Sequence, residues 1–296
     1  MGIRIESVGI YWDTSCNQQN GIEIAKRAAL DCLSKSQHDK NEVNLIVNAS
    51  VYKDHYFAEP AMATFIQREL EINHCLDNGH SSHTLSFDLL NGALGVLDAC
   101  QLVAAMIESG NIKTALIVSG DSFDLPLGKK SGPLKLTAIG TAMLLDQTPE
   151  ANQGFRSFYF QSGNRHIALL KAHLYHDNNQ MAIHYQKSLE FENILVMEIY
   201  RALKHYFING VNWAKNFQLI IPPQLSPCFI EKLADAIGIK KDILLDISKK
   251  DCDFYNASLA LAIHHIQQNG VGHKLNKALI ICAGSGIQVG LATYTF

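Results

Sequence analysis

The sequence predicts an α/β protein built by internal duplication, and three observations carry that prediction. Strand-like segments alternate with helical ones, which argues for a parallel or mixed sheet covered by helices. The order strand, helix, strand, helix, strand recurs in the second half without obvious sequence identity. Hydrophobic residues make up 47% of the 296 positions, enough for one large core or two fused half-cores. No low-complexity linker divides the chain, so halves 1–150 and 151–296 are expected to form one compact unit.

Ile3–Tyr11 alternates apolar and polar residues and reads as the first strand. Gly21–Ser34 follows as an amphipathic helix with Ile24, Ala25, Ala28, Ala29 and Cys32 on its inner face. After the polar loop SKSQHDKNE, Val43–Ala49 is an apolar strand, and Pro60 opens a helix that runs to about Leu70. The stretch from His83 to Gly110 organises this half. Leu85–Leu89 reads as a short buried strand, Asn91–Gly92–Ala93 as a turn, and Gly95–Glu108 as a helix stopped by Gly110. Before Glu108 only Asp98 and Gln101 interrupt that helix, so it must be buried almost all round. Thr114–Ser119 and Thr137–Leu145 close the half as strands, with a Pro-, Gly- and Lys-bearing loop between them.

In the second half Gly154–Gln161 is expected to be a strand and Ser188–Phe207 a helix. Phe217–Ile221 is a strand stopped by Pro222–Pro223, and Pro227–Ala236 is helical. Asn256–Gln267 reads as a helix, followed by strands Ala278–Ala283 and Ile287–Tyr294 on either side of Gly284–Ser285–Gly286.

Composition excludes several classes of function. Net charge is −3, from 25 basic and 28 acidic residues with no basic block, so neither nucleic acid nor an anionic membrane is an expected partner. The N-terminus MGIRIESVGIYW lacks the pattern of a signal peptide. The longest apolar stretch, Gly92–Ile107, is too short to span a bilayer. Seven dispersed cysteines without a CxxC pair read as reduced core thiols of a cytoplasmic protein. His74, Cys75, His80 and His83 match no zinc spacing, so neither metal nor cofactor is expected. Cys100 reads as an inert core thiol, and His264–His265 as one packed and one surface histidine.

A strand, a tight turn and a buried helix make a platform suited to a nucleophile, because a helix N-terminus favours negative charge. Ser86–Phe87–Asp88, Ala93–Leu94–Gly95 and SGNIKTALIVSGD resemble the β-ketoacyl-carrier-protein synthase III branch of the thiolase-fold enzymes, where this unit reads A-F-D-x-x-x-A-C-x-G. PAMATFIQRELEI resembles that family's helix ending in Q-x-x-L-G-I. LIIPPQLSPCFIEKLADAIGI resembles its strand, P-H-Q-A-N and helix. Tyr255–Asn256–Ala257–Ser258 resembles G-N-T-S, and GSGIQVGLATYTF the closing G-G-G-x-x-W-G strand. The resemblance implies a thiolase-like, internally duplicated αβαβα five-layer fold.

It also implies a Cys–His–Asn set, which falls here on Ala93, Pro223 and Asn256. Alanine has no nucleophile, and proline has neither a side-chain donor nor a backbone N–H. Asn256 reads first as a helix cap and only second as a catalytic group. An oxyanion hole made by the backbone of Ala93 and Gly286 would survive the loss of side chains. The family's coenzyme-gripping Trp and Arg have no counterpart in Tyr11–Gly21, and an expected Arg falls on Cys228. Lys129, Lys130 and Lys135 could meet an acidic carrier, or only solvent.

The resemblance further implies a dimer paired through the strand Leu85–Leu89, with the residue before the helix proline reaching into the partner's acyl site. That residue is Glu59, with Phe57 close by. The expected function is a non-catalytic subunit of a synthase III-like acyltransferase in fatty-acyl, polyketide or secondary-metabolite biosynthesis. Its partner, in a heterodimer or heterotetramer, would be a Cys-bearing thiolase-fold paralogue, with acyl carrier protein or acyl-CoA arriving through that partner. The alkylquinolone-synthesising heterodimer resembles this arrangement. Two alternatives stay open: an acyltransferase that works without an acyl-enzyme, and a stand-alone acyl-thioester binding protein.

Overall fold

The computed structural model describes residues 1–12, 20–53, 59–73, 83–121, 138–177, 180–207, 213–250, 252–270 and 275–296. The first half runs β1 (Gly2–Trp12), α1 (Gly21–Lys35), β2 (Leu45–Asn48), α2 (Met62–Leu70), β3 (Leu85–Asp88), α3 (Gly95–Glu108), β4 (Thr114–Gly120) and β5 (Ile139–Thr148). The second half runs β6 (Gly154–His166), a hairpin of β7 (Leu170–Asp177) and β8 (Gln180–Lys187), then α4 (Phe191–Tyr206). It continues with β9 (Leu219–Ile221), α5 (Pro227–Ile237), α6 (Ser258–Gln268), β10 (Lys277–Gly284) and β11 (Gly286–Thr295).

The main sheet has the order β3-β2-β4-β5-β1-β6-β11-β10-β9, and the hairpin forms a separate two-stranded sheet. β2 is parallel to β3 and β4, while β5 runs antiparallel to β4 and β1. The second half repeats this arrangement, with β9 parallel to β10 and β11 antiparallel to both β10 and β6. A parallel bridge from Ile220 to Leu244 stands where β3 stands in the first half. The two half-sheets meet at a corner, where β1 pairs with β6 at Ile3 and Gly154.

Five layers result. Helices α1 and α2 cover one face of the first half-sheet with Ala25, Ala28, Ala29, Ala63 and Ile66. Helices α3 and α6 fill the middle and pack on both half-sheets. On the far side α4 and α5 cover the second half-sheet through Leu195, Ile199, Phe229 and Leu233. Close packing of α1 rests on strand glycines. A Cβ at Gly9 would lie 2.0 Å from the Ala28 carbonyl oxygen, and one at Gly140 would lie 2.2 Å from that of Ile24.

Several sequence expectations shift. Pro60 does not open a helix; α2 starts at Met62 with Ala61 as its cap. Strand β3 is an edge strand rather than a buried one, and Leu85 is 54% exposed. Strand β6 runs five residues past Gln161. The hairpin was not anticipated. Helix α3 is buried on most of its surface, as its composition requires.

Candidate functional site

Each half enters its central helix through one 3-10 turn, Gly92–Leu94 ahead of α3 and Tyr255–Ala257 ahead of α6. The first residue of each turn is left-handed, with φ of 54° at Gly92 and 46° at Tyr255. The turns face each other across a cavity of about 30 Å³. Ala93, Pro223 and Asn256 all line it, together with Gly284, Cys282, Tyr255, Tyr185, Lys187 and Asp253. The structure therefore gathers at one place the three positions on which the Cys–His–Asn set was expected to fall. Its volume suits a water molecule and falls far below the few hundred Å³ of a typical ligand pocket.

Ala93 presents only a methyl group and its backbone. A Cβ built on Gly284 would lie 3.6 Å from the Ala93 amide nitrogen, so Gly284 lies against this turn. Gly286, the glycine expected to share an oxyanion hole with Ala93, sits instead beside Gly163 and Gln288 and does not line the cavity.

Asn256 is 3% exposed, and its Nδ2 donates to the Ala49 carbonyl at 3.0 Å. It does not cap α6, whose cap is Ala257 and receives no side-chain bond. The amide is spent on holding the end of the first half's β2 segment against the second half. Behind it Asp121 accepts the N–H groups of Val51 and Tyr52, both at 2.7 Å. Burial pushes the Asp121 carboxyl up to about 6, against the pull of those donors.

The Pro222–Ser226 turn divides its labour clearly. Gln224 is fully buried, donates to the carbonyls of Pro222 and Leu245, and accepts from the Ile247 N–H at 3.0 Å. Ser226 caps α5 by accepting from the Phe229 N–H. Pro223, between them, faces the cavity with nothing to donate.

Sequence reasoning missed the polar side of the cavity. Lys187, at the end of β8, lies 3.2 Å from Glu192 and 3.8 Å from Asp253. Burial pushes the Asp253 carboxyl up, with Lys187 opposing. These residues come from a hairpin, a helix and a loop, so no local motif marks them. Cys282 also faces the cavity, but burial pushes its thiol up to about 12. Cys100 is fully buried nearby and is pushed well above the ordinary thiol range for the same reason. Neither thiol is a ready nucleophile at neutral pH.

Other expected positions lie elsewhere. Glu59 is exposed just ahead of α2, while Phe57, His74, Cys75, His80 and the three loop lysines fall outside the described residues. His264 is half-buried, His265 is exposed, and neither lines the cavity. Cys228 is exposed on α5. Among the described residues no group of His, Cys, Asp or Glu could hold a metal ion, and no helix is long and apolar enough to cross a membrane.

One carboxylate of the first half holds the frame. Asp88, at the end of β3, accepts the N–H groups of Met62 and Ala63 at the start of α2 and pairs with Lys53. Burial raises its carboxyl, but Lys53 and the two N–H donors outweigh that and hold it below the ordinary range.

No protein-family model matches the chain. It is 23% identical over 271 residues to the β-ketoacyl-[acyl-carrier-protein] synthase III of Rickettsia bellii, covering 91% of this chain and 82% of that one. It is 28% identical over 151 residues to the enzyme of the same name from Acholeplasma laidlawii, covering half of this chain and 44% of that one. Among solved structures, a 3-oxoacyl-(acyl-carrier-protein) synthase III superposes over all of both chains with a TM-score of 0.84 at 13% identity. Xanthomonas campestris OleA, solved with lauric acid and lauroyl-CoA, superposes with a TM-score of 0.78 at 15% identity, covering 100% of this chain and 99% of that one. The chain has the thiolase fold. Its homologues are condensing enzymes of fatty-acid and lipid biosynthesis. In this thiolase-fold chain the two turns face one cavity, and alanine and proline line it at positions 93 and 223.

Proposed function

We propose that this chain is a non-catalytic subunit that pairs with a Cys-bearing thiolase-fold paralogue and shapes that partner's pocket. One observation carries the reading: Ala93, Pro223 and Asn256 meet at a single cavity, where two lack functional groups and the third is bonded to Ala49. Acyl transfer through an acyl-enzyme needs a nucleophile at position 93, where this chain has alanine. Among the described residues the outer edge of β3 has no partner strand, and it carries exposed Leu85, with exposed Leu90 just beyond. An open edge strand with apolar side chains supports pairing with a second chain along that seam. Glu59 stands ahead of α2, which packs against β3, so a partner at the seam would lie within its reach.

The test is co-expression with each Cys-bearing paralogue encoded in the same genome. The expected result is a stable complex that forms acyl-enzyme on the paralogue alone, with acyl-chain selectivity altered by Glu59→Ala. A stable homodimer that pairs with no paralogue would overturn the reading. Turnover by the isolated chain would favour the enzyme alternative, and tight acyl-thioester binding by that homodimer the binding alternative.

A further inference from the structure

The hairpin β7–β8 covers the cavity without joining the main sheet. A two-stranded hairpin has little stability of its own, so it depends on what lies beneath it. Along β8 alternate side chains point inward, and Ile183 and Tyr185 are 3% and 4% exposed. Lys187 occupies the next inward position, where the pattern calls for an apolar residue. Its side chain is only 11% exposed and its ammonium lies 5.3 Å from the Phe191 ring centre. A long cation at an inward strand position breaks the local pattern, and such breaks mark functional or strained sites.

The partners of Lys187 show what the break achieves. Glu192 belongs to the first turn of α4, and Asp253 to the loop that leads into the Asn256 turn. One ammonium thus ties the hairpin to both walls of the cavity. Leu170, paired with Lys187 at the hairpin base, lines the same space. We propose that the β7–β8 hairpin is a lid over the Ala93 turn and that Lys187 is the latch holding it shut. The closed lid leaves the cavity its present small volume, and an open one would expose Cys282, Phe191 and Leu195 beneath it. The latch belongs to this chain alone, so it stands whether or not the chain pairs with a catalytic paralogue.

Cys282 reports the state of the lid. The full chain is treated with N-ethylmaleimide and modification is followed at each cysteine by peptide mass spectrometry. In the parent, exposed Cys228 should be modified first among the described cysteines, with Cys282 protected. Lys187→Glu sets three carboxylates together and should speed modification of Cys282 by at least about tenfold through local opening. Cys32, fully buried on the inner face of α1 in the other half, should keep its parental rate. Lys187→Met, which removes the charge but keeps the stem, should give a smaller rise with the same selectivity. Parental protection of Cys282 in both variants would overturn the proposal. So would equal acceleration of Cys32 and Cys282, which would make Lys187 a general support of the fold.

Discussion

The two turns at the cavity share a backbone and differ in what their side chains do. Gly92 enters the first turn at a φ of 54° at no steric cost, whereas Tyr255 enters the second at 46°, which costs an L-residue about 1 kcal/mol or more. Tyr255 is held there by packing, with its ring 5.7 Å from that of Tyr52 and its hydroxyl facing Gly92. One residue later the contrast sharpens: Ala93 carries a methyl group, while the Asn256 amide bonds the Ala49 carbonyl. Side chains that hold the backbone are present in both halves, namely Asp88, Gln224, Ser226 and Asn256. Ala93 and Pro223, which also line the cavity, bring to it a methyl group and a ring with nothing to donate.

On that division the largest loss of stability follows from Gln224→Ala. It strips partners from the carbonyls of Pro222 and Leu245 and from the Ile247 N–H, all near a fully buried side chain. Three orphaned groups at 1–3 kcal/mol each give a loss of about 5 kcal/mol, read by urea denaturation. A loss near zero would break the claim that this turn is kept for structure. Asp88→Asn should cost somewhat less, about 4 kcal/mol, because it leaves Lys53 unpaired at an 11% exposed site. Since the folded Asp88 carboxyl lies below its ordinary value, its contribution is present above the unfolded pKa and is lost as pH falls through the folded one. The gap between parent and Asp88→Asn should therefore be wide at neutral pH and narrow under acid conditions.

Much of this frame was legible in the sequence because it is periodic. The nearly unbroken apolar run of α3 could only be a central helix, and the recurrent strand–helix order foreshadowed the repeat of strand order in the second half-sheet. The hairpin escaped notice for a physical reason. One of its faces is solvated, and its inward row ends in Lys187, so the alternation is interrupted where it would have been read. The role of Asn256 was misjudged because position suggested a cap, while its true partner, Ala49, lies 207 residues away. Glu71 shows the same limit. It takes a left-handed cap at 54° where the resemblance expects glycine, and no local pattern announces that.

A third prediction concerns the carboxylate behind the second turn. Asp121 is buried, and its carboxyl rises from 3.8 to about 6, so folding is opposed by its ionisation. The penalty is absent below the unfolded value, grows as pH rises through the folded one, and approaches about 3 kcal/mol above it. Asp121→Asn keeps an oxygen for the Val51 and Tyr52 N–H groups and removes the charge. The variant should gain on the parent by about 2 kcal/mol between pH 4 and pH 8, after allowing for imperfect amide geometry. Parallel stability curves for the two proteins would show that the Asp121 carboxyl ionises in the folded chain as easily as in the unfolded one.

The smallest effect tests the comparison most directly, because it gives the first turn what the second one tolerates. Gly92→Ala places a Cβ at a φ of 54° and 3.2 Å from the Tyr255 hydroxyl oxygen. The left-handed backbone and the tight contact together should cost about 1–2 kcal/mol. Tyr255→Phe removes the hydroxyl and should relieve only the contact, leaving the backbone part of the cost. In the double variant the loss from Gly92→Ala should shrink by about 0.5 kcal/mol, a coupling that a double-mutant cycle can resolve between residues in contact. Strict additivity would mean that the two turns, though they face one cavity, do not press on each other, and that Tyr255 keeps its strained backbone through the Tyr52 packing and the Asp253 carboxylate that accepts its N–H.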